Sequence, residues 1–411
     1  MKLSLKYYPR WNKEQLQIIE ELSFHTTKLY NIANHQCREK YKNYQTLEKE
    51  LKQNWHKPYL HSHTYQQSLK VLEQNWKSYF KSIIDYKKNP SKYKAIPQPP
   101  KYKHVQKRKN EVIFTNLAIR RKDGHILLSL SKTVQETFQV DSLKVEEPKT
   151  LPLPEHAHLQ QISLQYDRLQ KKWYLLIIYK TATKEQSTSK NIMAIDLGLS
   201  NLSAITLSHS KDNYIIDGKS LKSINGYMNK KIAVLQSVRM KQIGAKAYKT
   251  TKQIKRLRKK RHDYITNYLH QASRTIIKLA EQYDIGTIVI GDIKGIKQQS
   301  TIKTFVQIPI ERFTQMIQYK AELAGIKLTY QNETYTSGVS AFDLEPITKT
   351  YYNKKRRICR GLFRTNQGIY VNADINGSLN IMRKTYTGTP YLITSVRDNG
   401  CVNHPQRIRV A

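Results

Sequence analysis

Acidic residues are scarce in this 411-residue sequence: 31 Asp and Glu stand against 71 Lys and Arg, a formal net charge of +40. Such a chain repels itself, and the simplest partner that neutralises it is a polyanion, nucleic acid above all. The basic residues run through the whole sequence rather than forming one tail, so several faces are expected to meet phosphate. Cysteine is nearly absent as well. Cys37, Cys359 and Cys401 are too few and too scattered for a disulfide framework or a CxxC pair, which argues against a structural zinc site. No apolar run approaches the roughly 18 residues of a membrane-spanning helix, and no signal-peptide core follows Met1, so a soluble protein is expected, without membrane contact. Phe is sparse, 8 against 28 Tyr, and many of the tyrosines lie among lysines, as in Lys2–Tyr8 and Tyr86–Asn89, where rings can stack on bases or sugars.

Against this background two acids stand out. Asp196 closes the apolar run Asn191-Ile-Met-Ala-Ile-Asp-Leu-Gly198, which reads as a buried strand ending in a carboxylate. Asp374 lies in Val371-Asn-Ala-Asp-Ile-Asn-Gly-Ser-Leu-Asn-Ile381, where a loop enters an amphipathic helix. Each alone is commonly a turn residue or a helix N-cap. Together, in so basic a chain, they have the form of a magnesium-dependent nuclease site.

The order of elements places them. Residues 2–8 alternate as a strand, 12–41 and about 61–85 read as helices, and the Pro- and Lys-rich stretch Lys88–His104 is a basic connector. Short strands follow at Glu111–Phe114, Ile126–Leu130, Phe138–Val145, Gln161–Tyr166 and Trp173–Tyr179, a spacing that suggests a barrel or sandwich closed by strand 2–8. From 190 onward come three strands, long helices from about 221 to 283, a strand at Ile288–Ile290, a helix over 311–325, a strand over 326–330, an irregular segment 334–371 and the helix near Asp374. That order matches an RNase H-like α/β domain.

The sequence resembles TnpB, the transposon-encoded RNA-guided DNA nucleases. The matching pieces are Asp196–Gly198, Ile288–Ile290, Gln318–Lys327, Glu333–Ser337, Arg360–Arg364, Asn372–Ile381 and Gly400–Pro405, in this order. The resemblance implies a multidomain α+β and α/β chain. A wedge β-barrel (1–10 and 105–188) would carry an inserted helical recognition lobe (11–104), followed by a RuvC-like nuclease domain (189–411) with an insertion at 338–371 and a tail at 385–411. It further implies a guide RNA from the transposon end, a double-stranded DNA target with a short adjacent motif read by the protein, two Mg²⁺ ions, and a cytoplasmic protein that joins the nucleoid when bound to DNA.

The sequence departs from the family in two places. Relatives often end the second nuclease strand in Glu, where this chain has Gly291; by the resemblance, the missing carboxylate is relocated to Glu333, giving Asp196, Glu333 and Asp374 as the catalytic, metal-holding set. Asp292 is the competing candidate, but a shift of one residue along a strand turns a side chain to the opposite face. In 338–371 relatives often carry a four-cysteine zinc ribbon; here only Cys359 remains, among Lys349, Lys354, Lys355, Arg356, Arg357, Arg360 and Arg364, so a metal-free ribbon with a basic surface and no structural zinc is expected. Gly338 and Val339 replace the Lys and small residue expected after Thr336-Ser337. The basic helices, with Lys252, Lys255, Arg256, Arg258, Lys259, Lys260 and Arg261, together with Lys354, Lys355, Arg356 and Arg357, are the candidate nucleic-acid surfaces. A nuclease-inactive RNA-guided repressor and a transposition accessory protein are the alternative functions.

If phosphate neutralisation drives binding, affinity for RNA or DNA should fall steeply as salt rises, and a flat affinity from low to moderate salt would contradict this.

Overall fold

The computed structural model describes all residues except 150–151, 244–249, 293–307, 360, 400–403 and 411, and gives only the backbone of 396–399. Arg360, Cys401 and most of the Gly400–Pro405 motif lie outside the described residues. The chain divides into two compact units, Met1–Ala182 and Thr183–Ala411. Among the described residues no helix is long and apolar enough to cross a membrane.

In the first unit the strands are β1 (Lys2–Tyr7), β2 (Val112–Thr115), β3 (Ile119–Lys122), β4 (His125–Ser129), β5 (Ser142–Glu146), β6 (His158–Asp167) and β7 (Lys172–Lys180). They form two antiparallel sheets, β1-β7-β6-β2 and β3-β4-β5. Strand 2–8 does join the strands that follow the helices, through Lys2↔Lys180 to Tyr7↔Leu175. Helices α1 (Lys13–Glu39), α2 (Tyr44–Glu50) and α3 (Ser62–Lys88) are inserted between β1 and β2. The strand expected over Phe138–Val145 is split instead. Helix α4 (Lys132–Phe138) ends at Gln139, whose left-handed φ of 53° stops the helix, and β5 begins only at Ser142.

The second unit is built on a six-stranded sheet. Its strands are β8 (Ile192–Leu197), β9 (Asn201–Leu207), β10 (Asn213–Asp217), β11 (Thr287–Asp292), β12 (Lys327–Asn332) and β15 (Gln406–Ile408), in the order β12-β11-β8-β9-β10-β15. β8, β9 and β10 form an antiparallel meander, while β11 and β12 run parallel to β8. Helices α5 (Lys219–Ile243) and α6 (Lys252–Gln282) lead from β10 towards β11, and α7 (Ile310–Leu323) precedes β12. Parallel strands need such crossovers, and their central strands read as continuous apolar runs because both faces are covered. One face packs on α6 and α7 through Ile276, Phe313 and Ile317; the other lies under α8 (Ala373–Arg383), which packs on β8 and β9. A short hairpin, β13 (Leu362–Arg364) and β14 (Tyr370–Asn372), leads into α8, and α9 (Tyr391–Asn399) follows it. Because β8, β11 and β12 are parallel, their carboxyl ends share one edge, where open α/β sheets place their ligand sites.

Phe313 is fully buried between α7 and the sheet. Phe313→Ala is expected to cost about 3–5 kcal/mol, read as a lowered urea midpoint for this unit; an unchanged midpoint would mean that α7 does not seal the core.

Candidate active site

Asp196 is the fifth residue of β8, and Ile195↔Ile290 is the last pair between β8 and β11. Gly291 therefore follows at the same level as Asp196 on the neighbouring strand. Glu333 comes directly after the last pair of β11 with β12, Asp292↔Asn332. It begins a tight turn in which Thr336 N–H donates to the Glu333 carbonyl at 3.1 Å and Thr336 Oγ1 donates to it at 2.7 Å. Lys384, just past α8, clamps this turn by donating from Nζ to the carbonyls of Asn332 and Thr334, each at 2.8 Å.

The turn sends Glu333 back across β11. A Cβ added at Gly291 would fall 1.9 Å from Glu333 Oε1, so the Glu333 carboxyl fills the space above residue 291. Asp374 arrives from α8. Asn372 is the cap of this helix, its Oδ1 accepting from the N–H groups of Asp374 and Ile375 at 3.0 and 3.2 Å. Asp374 is thereby spared the capping role, and its carboxylate sits in the first turn, where the helix dipole favours negative charge. Close approach of α8 to β8 requires Gly377, since a Cβ there would fall 2.5 Å from Asp196 Oδ2.

The result is a cavity of about 270 Å³ lined by Asp196, Glu333, Asp374, Asn201, Thr336, Ser337 and Arg357 among others. Burial, and then the charges of Glu333 and Asp374, push the Asp196 carboxyl well above the ordinary Asp range, with Arg357 pulling the other way. Burial and the Asp292 charge push Glu333 up to about 7 against the pull of Lys384. Glu333 Oε1 is buried and has no hydrogen-bond partner among the described residues. Asp374 is engaged: Arg357 Nη2 lies 2.7 Å from Oδ1 and Asn201 Nδ2 donates to Oδ2 at 2.6 Å. Among the described residues no three His, Cys, Asp or Glu side chains are grouped closely enough to hold a metal ion as they stand. The three acids form instead an open, electron-rich pocket of hard oxygen donors, the donor set Mg²⁺ takes.

Asp292 does not line this cavity, although its charge reaches Glu333. The basic candidates are distributed unequally. On α6, Lys252, Lys255, Arg256, Arg258 and Lys260 are exposed, whereas Lys259 pairs with Asp263 and Arg261 donates to Asn229 of α5. Lys354 and Lys355 are exposed. Arg356 is turned inward to Glu345, and Arg357 enters the acidic cavity. Asn201, Lys384 and Arg407, which donates to Asn201 Oδ1 at 3.1 Å, escaped the sequence analysis because nothing local marks them. The replacement at Gly338 has a steric cause, for a Cβ there would fall 2.5 Å from the Tyr352 ring.

A family model described as "Probable transposase" (OrfB_IS605) matches residues 163–297, and one described as "Cas12f1-like, TNB domain" matches 311–381. The first covers Asp196, the second Glu333 and Asp374. The chain is 27% identical over 224 residues to CRISPR-associated endodeoxyribonuclease Cas12f1 of Sulfoacidibacillus thermotolerans, a match spanning 53% of this chain and 51% of that protein. It is 22% identical over 409 residues to TnpB-like protein ORF457 of Acidianus two-tailed virus, spanning 91% and 84%. Among solved structures, a Cas12f1–sgRNA–target DNA complex superposes with a TM-score of 0.58 at 12% identity, covering 93% of this chain and 98% of that one. The fold is therefore of the Cas12 type, mixed α+β. Within it, these matches lie with the TnpB and Cas12f proteins, the group the motifs resemble.

Because Gly291 and Glu333 share one space, Gly291→Ala should push the flexible Glu333 side chain aside at little cost in stability. Isothermal titration with Mn²⁺ should show it weakening metal binding as Glu333→Gln does, by about 10- to 100-fold; wild-type affinity in Gly291→Ala would refute the shared-space geometry.

Proposed function

We propose that this chain is an RNA-guided DNA endonuclease of a transposon, with a RuvC-like site that hydrolyses guide-matched DNA beside a short motif. The observation that carries this is the Glu333 carboxyl over Gly291, in one cavity with Asp196 and Asp374. The strand order β12-β11-β8-β9-β10, a meander followed by two parallel strands, supports the RuvC-like reading. The relative named an endodeoxyribonuclease and the fold neighbour bound to guide RNA and target DNA support the substrate class.

The residues fit Mg²⁺. Asp196 is crowded by two like charges, and Glu333 Oε1 is buried with no hydrogen-bond partner among the described residues, so a cation would satisfy these oxygens better than what surrounds them. Two Mg²⁺ held by Asp196, Glu333 and Asp374 would supply an activated water and stabilise the leaving 3′ oxygen of an in-line displacement. Asp196 would hold the metal together with Glu333 and Asp374, which line the same cavity. Arg357, already at the cavity, offers a planar cationic fork to the phosphate oxygens once DNA enters. Asn201 fixes the orientation of Asp374. The exposed cations of α6, with Lys354 and Lys355, hold guide and target through phosphate.

Glu333→Gln keeps the shape and removes the charge. It should abolish Mg²⁺-dependent cleavage of guide-matched DNA while leaving RNA and target binding intact, and Asp196→Ala should do the same. Asp292→Asn should cost far less, since Asp292 stands outside the cavity. An inactive Asp292→Asn beside an active Glu333→Gln would transfer the middle carboxylate to Asp292. Target binding without any cutting in Mg²⁺ or Mn²⁺ by the unmodified protein would favour the repressor instead.

A further inference from the structure

The segment 338–371 has a single cysteine, Cys359, which is exposed, and almost no regular structure. Its fixed point is Glu345, whose side chain is only 6% exposed. Glu345 Oε2 accepts from Arg356 Nη1 at 2.6 Å and from the Ser340 N–H at 2.9 Å. Oε1 accepts from the same Arg356 Nη1 at 2.8 Å and from Asn366 Nδ2. Arg356 Nη2 in turn donates to Asn366 Oδ1 at 2.5 Å. The Glu345 carbonyl accepts from Arg383 of α8 at 2.9 Å, which refers the whole cluster to the helix that carries Asp374. Residues remote in sequence are thus joined through one buried carboxylate, as four cysteines would join them through a metal.

The next residue after Arg356 is Arg357. The 3₁₀ turn Lys354–Arg356 is closed by Arg357 N–H donating to the Lys354 carbonyl at 3.1 Å, and consecutive side chains on so tight a turn diverge. With Arg356 anchored inward, Arg357 is directed to Asp374, 2.7 Å away. We propose that Glu345 is a positioning residue for Arg357: the buried Glu345–Arg356 pair organises this segment and fixes the guanidinium that faces the acidic cavity. This rests on the reading of Asp196, Glu333 and Asp374 as the cleavage site. A side chain that acts only on folding would lower every activity together, and its effect would add to that of losing Arg357.

The test uses the full chain with its guide RNA and single-turnover rates on guide-matched DNA. Glu345→Gln should slow cleavage by about 10- to 100-fold with target affinity unchanged. Arg357→Ala should slow it at least as much, and the double variant should be no slower than Arg357→Ala alone. Losses that multiply, or a Glu345→Gln protein that cuts normally, overturn the proposal. Hydrogen exchange gives a reading independent of cleavage, so that an unmodified chain that fails to cut sinks the cleavage reading and leaves this one open to judgement. Glu345→Gln should speed exchange over residues 340–357 and leave β8, β11 and β12 protected. Unchanged exchange over 340–357, or loss of protection throughout the sheet, would overturn the positioning role.

Discussion

A side chain at position 291 and the Glu333 carboxyl cannot occupy the same space over β11, because the missing Cβ would lie 1.9 Å from Glu333 Oε1. The rest of the site depends on this exclusion. Glu333 crosses from the end of β12 over β11 to reach the cavity of Asp196, and it can do so because the residue of β11 beneath it is Gly291. Lys384 holds the turn that redirects it, while Gly377 lets α8 bring Asp374 close. Burial, and then the charges of Glu333 and Asp374, raise the Asp196 carboxyl, while burial, and then the charge of Asp292, raise that of Glu333. A fold bears that cost where cations are to be held.

Buried polar groups hold the irregular segment around the site. On α8, Asn376 accepts from the Ala341 N–H and donates to the Val339 carbonyl, each at 2.8 Å. Asn380 donates to the carbonyls of Thr336 and Val339 at 2.9 and 2.8 Å, and Ser378 to that of Ala194 at 2.9 Å. The irregular chain after Glu333 thereby has its backbone satisfied by side chains of one helix, the condition for burying a loop. The run Asn376-Gly-Ser-Leu-Asn380 in the sequence is the imprint of that arrangement.

Strong periodicity and chemistry made much of this legible. The apolar run to Asp196, the helices 12–41 and 61–85, the three leading strands of the second unit and the carboxylate at the start of α8 could be read from spacing. Short elements could not. α2, β3 and β15 are three to seven residues long and are decided by what they pack against, and the 138–145 run was broken by a helix ending at Gln139. The relocation to Glu333 is implied by resemblance alone, and no local pattern tells that the Glu333 carboxyl lies in the space over Gly291. Arg356 read as surface charge because its partner, Glu345, sits eleven residues away in a segment without a period, and Asn201 and Lys384 carry no local signal at all.

The central claim is that Glu333 does from the end of β12 what a carboxylate at position 291 would do from β11. Moving it back is the most direct test: cleavage of guide-matched DNA in Mg²⁺ by the double variant Gly291→Glu, Glu333→Gly, compared with Glu333→Gly alone. A single variant that is dead and a double variant that regains cutting are the predicted result. A double variant as inactive as the single one, with guide and target still bound, would contradict the account.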